Sequence, residues 1–300
     1  MGLQKIFVLG VGAQKSGTTW LHSYLRRFAD VNFGPIKEYH VWDAISSPVF
    51  SKFIVDEAAL SNAVGTPAIE RVRIRYAMQN NPGFYEAFFS GLIRGEVRIT
   101  GDITPAYAGL DVQTLSAIRQ RMEDAGFIVK VVFLMRDPVE RIWSAARMQH
   151  RHEVSSARRR STSFDDVDRI RRLYRNDRTV AISRYDRTIV NIEQIFGQPD
   201  IFYALYENLF TIDTVRNLGT FLGIGFETGH FVTRVNASPK AGELSEEFAQ
   251  EVAEFYEPVY TFCEAHFPET RLLWNRGRST TDNSPHRQVR GMPDDQPLRA

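Results

Sequence analysis

Cysteine is almost absent: Cys263 stands alone in 300 residues. A lone cysteine excludes an intrachain disulfide and any cysteine-based metal cluster, and it suits a reducing, cytoplasmic setting. Net charge is nearly absent as well, at +1, which argues against a general nucleic-acid binder. No run is long and apolar enough for an integral membrane segment. The short apolar start leads straight into a glycine-rich turn, unlike the h-region of a signal peptide. Met1-Gly2 lacks the myristoylation pattern because Ile6 stands where Ser or Thr is needed. Neither an internal repeat nor a low-complexity segment is visible. What is present is 43% hydrophobic residues, enough to bury a sizeable core in one large domain or two small ones. Arginine heavily outnumbers lysine. That bias reads first as genome base composition and second as a supply of forks for planar oxyanions.

Strand and helix patterns alternate along the chain. Lys5 to Val11, Val97 to Gly101, Phe127 to Met135 and Asp200 to Tyr206 read as strands, the third so continuously apolar that both its faces must be covered. Helical periodicity follows over Gly17 to Phe28, Asp111 to Asp124, Pro138 onward and Thr214 to Leu222. Asp137-Pro138-Val139-Glu140 reads as a capping-box-like start. Ser245 to Phe267 reads as one long helix kinked at Pro258. Strands separated by helices imply βαβ units and a doubly wound parallel sheet, an α/β fold with ligands at the carboxyl ends of its strands. Ser155 to Asp168 reads as a flexible Arg-rich segment, and the tail 276–300 as mobile beyond a domain spanning 1–275. Arg71, Arg73 and Arg75 alternate with Val72 and Ile74 and read first as a solvent-facing stripe and second as a greeting for an anionic acceptor.

The most informative segment is Gly10-Val11-Gly12-Ala13-Gln14-Lys15-Ser16-Gly17-Thr18-Thr19-Trp20. Strand, tight loop and helix start make a cradle for a phosphate: backbone N–H groups face the anion, Lys15 adds charge, and Ser16, Thr18 and Thr19 add hydroxyl donors. The nucleotide-triphosphate loop is excluded by spacing, since Gln14 and Leu9 occupy its two diagnostic glycine positions. A dinucleotide loop is excluded by Lys15 at the third glycine position. Farther on, Arg136 leaves a strand end as a fork for a second phosphate, with Ser144 about two turns into the next helix.

Lys15-Ser16-Gly17-Thr18-Thr19-Trp20 resembles the 5′-phosphosulfate loop of the sulfotransferases that use 3′-phosphoadenosine 5′-phosphosulfate (PAPS), and the run from Phe133 to Ser144 resembles their 3′-phosphate site. Lys37-Glu38-Tyr39-His40-Val41-Trp42-Asp43 is similar to a run in the carbohydrate sulfotransferases, with Val41 in place of an aromatic. The resemblance implies a P-loop-like three-layer fold with a central parallel sheet flanked by helices, and a soluble enzyme that transfers sulfuryl to a hydroxyl of a carbohydrate, lipid or other small molecule. It implies PAPS as donor, 3′-phosphoadenosine 5′-phosphate (PAP) as product, and no metal. By position, Glu38 is the base with His40 in reserve, and Lys37 and Asp43 help place the acceptor. Ser16, Gly17, Thr18 and Thr19 hold the 5′-phosphate with Lys15, Arg136 and Ser144 hold the 3′-phosphate, and Lys240 belongs to a late loop over the nucleotide. Trp20 either stacks on adenine or is core. Asp102-Ile103-Thr104-Pro105-Ala106-Tyr107 departs from a family segment, with Asp102 for Glu and Ile103 for a Lys near the reaction centre. Two other classes stay open on these residues: a P-loop-type small-molecule kinase, and a nucleotide- or sugar-binding protein without catalysis.

Overall fold

The computed structural model describes residues 4–155, 167–226 and 244–276. Lys240, the tail 276–300 past its first residue, and most of the Arg-rich segment after Ser155 lie outside the described residues. Four parallel strands, β1 (Ile6–Gly12), β2 (Ile99–Ile103), β3 (Ile128–Met135) and β4 (Ile201–Leu205), line up in the order β2-β1-β3-β4. The chain steps to one side after β1 and to the other after β3, so the order reverses between those two strands. That is where doubly wound sheets open a crevice for ligands.

The two inner strands are buried because helices cover both faces. One apolar cluster gathers Phe7, Leu9, Val131 and Phe133 with the aromatics Tyr85, Phe89 and Tyr185. The opposite cluster takes Val8, Val132 and Leu134 with Trp20, Leu21, Leu25 and Leu218. Alternate residues of one strand thus enter different clusters, as the pleat requires. This is the expected three-layer α/β arrangement. Among the described residues no helix is long and apolar enough to cross a membrane.

Strand and helix ends differ from the sequence reading where tertiary contacts decide. The second strand begins two residues late and runs to Ile103, because its register is set by Ile6 pairing with Ile99. The expected long C-terminal helix is two, Glu246–Phe255 and Glu257–His266, with Pro258 opening the second. Proline has no N–H to give to the preceding turn and is tolerated at a helix start. The capping box at Asp137 does not form. Asp137 accepts from the Val139 amide at 2.9 Å, but Glu140 pairs with Arg136 at 2.8 Å and the Asp137 amide is taken by Glu207 at 3.2 Å. Residues 46–89, unread in sequence, supply helices Glu57–Ala63, Ile69–Asn80 and Phe84–Leu92.

Gly17 starts the Thr18–Leu25 helix at φ 97°, and a Cβ there would sit 2.3 Å from Leu209 Cδ2. Gly17→Ala therefore combines a left-handed backbone penalty of about 1 kcal/mol or more with a forced shift of Leu209. We expect its unfolding temperature to fall by at least ~2 °C, as read by thermal denaturation; an unchanged midpoint would contradict the packing described for this turn.

Candidate active site

Of the residues expected to hold phosphate, Lys15 to Thr19 follow the carboxyl end of β1, Arg136 follows that of β3, and Ser144 lies within the next helix. The Ala13 amide bonds the Leu134 carbonyl at 2.6 Å, pinning the loop to β3. Ser16 is fully buried and Thr18 nearly so. No side chain caps the start of the Thr18–Leu25 helix, which leaves its first-turn amides available to a ligand. Lys15 stands at φ 70°, an uncommon conformation for a residue with a side chain and one that persists where the surroundings impose it. Arg136 Nη1 lies 3.4 Å from the Lys15 carbonyl, and its guanidinium covers the Tyr206 ring at 4.5 Å. The two residues expected to grip one ligand thus share one crevice. Ser144 is buried in the Pro138–Ser155 helix.

This crevice is strongly cationic. Burial, followed by the charges of Arg151, Arg136, Arg147 and Lys37, lowers the Lys15 ammonium from its ordinary value to about 8. Arg136 Nε and Arg147 Nε are buried with no hydrogen-bond partner among the described residues. Converging cations with idle N–H groups are the signature of an anion site. Sequence reasoning missed Arg147 and Arg151; the signal was their spacing of three and seven residues from Ser144 on one helix. Among the described residues no group of three or more His, Cys, Asp or Glu is arranged to hold a metal ion.

The second constellation is a chain of three ionisable groups. Asp43 Oδ2 meets His40 Nδ1 at 2.6 Å, and His40 Nε2 lies 3.6 Å from Glu38 Oε2. Glu38 also pairs with Lys37. The His40 ring stacks on Phe53 at 3.6 Å, and its backbone is at φ 53°. Burial opposes charge on His40, but the bonds to Asp43 and Glu38 win and raise it above its ordinary value. Burial likewise opposes charge on Glu38, yet the His40 bond and the Lys37 charge bring its carboxyl down to about 2. Glu38 is the member that faces a cleft of about 390 Å³, shared with Lys37, Arg71, Val72 and Arg75.

Below this chain lies a buried hub that sequence did not reveal. Asp102, at the end of β2, accepts from Thr104 Oγ1 at 2.6 Å, Tyr107 Oη at 2.7 Å and Tyr85 Oη at 3.2 Å. Thr104 and Tyr107 in turn accept from the amides of Tyr39 and Val41 at 3.0 and 3.2 Å. Residues flanking His40 are therefore bolted to the sheet through one carboxylate. Burial raises Asp102 to about 6 despite those three hydrogen bonds.

Three expectations change. Asp43 is fully buried behind His40, so it orients the imidazole and does not reach an acceptor. Trp20 is 2% exposed, stacked on Tyr24 at 5.1 Å; it is core and presents no face to an adenine. Arg75 is not a solvent-facing member of its stripe, since it is half-buried and donates to the Glu38 carbonyl.

Asp43→Asn tests the relay. Removing the anion at Nδ1 should lower the His40 pKa, read by NMR titration of the imidazole. A raised histidine stabilises the fold below its unfolded value near 6.5 and loses that contribution as pH climbs through the folded value. The variant should therefore be less stable than the native chain at pH 6 and converge with it at alkaline pH; an unmoved imidazole titration would remove Asp43 from the relay.

The profile of the sulfotransferase family matches residues 6–228. No curated protein matches the chain. Among solved structures, a sulfotransferase from Alicyclobacillus acidocaldarius aligns at TM-score 0.56 and 23% identity, covering 89% of this chain and 97% of that one. The sulfotransferase domain of the Synechococcus olefin synthase aligns at TM-score 0.45 and 17% identity, covering 84% and 94%. A mouse sulfotransferase complexed with PAP aligns at 0.44 and 13%, covering 90% and 87%. The first of these likenesses concerns the fold, and the profile covers well over half of the chain: it belongs to the sulfotransferase family and is an enzyme of sulfuryl transfer.

Proposed function

We propose that the chain moves a sulfuryl group from PAPS to a hydroxyl of a carbohydrate, lipid or other small-molecule acceptor. The observation that carries this reading is the cationic crevice between β1 and β3, where Lys15, Arg136 and uncapped helix amides converge on one space. In this reading Ser16, Gly17, Thr18 and Thr19 hold the 5′-phosphate. Arg136 and Ser144 hold the 3′-phosphate; the idle, buried Nε of Arg136 fits such a partner.

The acceptor enters beside Glu38, where Lys37 helps place it. Its oxygen forms a bond to sulfur as the bond from sulfur to the phosphate oxygen breaks, and its proton passes to Glu38. His40, held by Asp43, shares that proton's charge. Lys15 offsets the negative charge that builds on the departing phosphate, the electrostatic part that dominates group transfer of this kind.

Calorimetry separates the donor classes. PAP should bind without metal and far more tightly than ATP with magnesium; the reverse order would assign a kinase. PAP binding without turnover on labelled PAPS and a panel of sugars, phenols and lipids would leave a binding protein. Glu38→Gln should cut turnover by roughly 100-fold or more while PAP affinity stays unchanged, and if only His40→Ala does so, the base is His40. Arg136→Ala should lower PAP affinity by roughly 10- to 100-fold and leave AMP binding alone, because AMP has no 3′-phosphate for the guanidinium to hold.

A further inference from the structure

The Pro138–Ser155 helix brings more positive charge to the crevice than the contacts assigned so far use. Ser144, Arg147, Met148 and Arg151 recur at helical spacing and form one face. That face is turned to the loop: Met148 Sδ lies 3.7 Å from Lys15 Nζ, and the charges of Arg151 and Arg147 both act on Lys15. Arg147 is only 8% exposed, and its Nε has no hydrogen-bond partner among the described residues. Its guanidinium packs 5.7 Å from the Trp143 ring centre, which holds it in place without giving Nε a partner. The acid that acts on Arg147 with opposite sign is Glu140, whose carboxylate already pairs with Arg136. A buried guanidinium beside like charges, with a donor idle, is costly unless an anion completes the set.

We infer that Arg147 and Arg151 are anion-binding residues of the donor site, extending the Lys15 loop onto the Pro138–Ser155 helix so that cations from two elements hold the 5′-phosphosulfate end. This rests on the donor reading above. The chemistry explains the investment. When sulfuryl leaves, the 5′-phosphate gains negative charge, and fixed cations outside the loop offset it with no reorganisation at the moment of transfer.

Three ligands test it by calorimetry: PAP, AMP and adenosine 3′-monophosphate. Arg151→Met removes an exposed side chain, and Arg147→Met removes the buried one. Each should weaken PAP and AMP by about tenfold or more and leave adenosine 3′-monophosphate within about twofold. Arg147→Lys, which keeps the charge, should retain most of the affinity for PAP and AMP. Undiminished binding of PAP and AMP overturns the inference. So does an equal loss for all three ligands, which marks a merely structural role. Should Arg147→Met fail to fold, Arg151→Met decides on the same two criteria. Failure of the native chain to bind PAP at all is a different result, and it counts against the donor reading itself.

Discussion

Like charges gathered at the carboxyl ends of β1 and β3 are the constraint that the rest of the structure serves. Two cations about 6 Å apart repel by roughly 3 kcal/mol at an effective dielectric of about 20. Lys15, Arg136 and Arg147 would separate if their side chains were free to do so. They are held by rigid attachments: Lys15 by a loop tied to β3 through the Ala13 amide, Arg136 by the strand end itself and by Tyr206, Arg147 by burial against Trp143. Asp137, the residue after Arg136, reinforces this by accepting from Tyr260 Oη and the Asn275 amide, both at 2.7 Å. The C-terminal helices thus brace the turn that aims the arginine.

A second brace serves the opposite half of the site. Thr104 and Tyr107 donate to Asp102 and accept from the amides of Tyr39 and Val41, so no hydroxyl among them is left unsatisfied. A fully satisfied buried network specifies one geometry, and a partly satisfied one would cost more than an apolar core. The sequence departure at Asp102 is intelligible in these terms. A carboxylate at this depth reaches Thr104, Tyr85 and Tyr107 directly from the strand.

The turn from β1 into its helix, the sheet class and the Arg136 turn were legible in the sequence because each is local: glycine before helix, apolar run before fork, periodicity between them. What sequence left unread is long-range. Asp43 looked like an acceptor contact, and Trp20 stood open between adenine platform and core, because type and spacing do not disclose burial; both are buried, Trp20 against Phe210 from far along the chain. Arg75 looked like part of a solvated stripe because its partner, the Glu38 carbonyl, belongs to another segment. Glu140 was free to cap its helix on local grounds and is instead captured by Arg136, an ion pair that outcompetes a backbone amide already satisfied by Glu207.

Lys37 joins the two halves electrically. It pairs with Glu38, and its charge also acts on Lys15. In the free chain Glu38 is held near 2, too acidic to take a proton from an alcohol with much driving force. In the proposed reaction a polyanion at Lys15 adds negative charge to the same field, and a nearby anion favours the protonated form of a carboxyl group. That raises the affinity of Glu38 for a proton. In the proposed reaction the carboxylate is therefore a better base with the donor in place than without it.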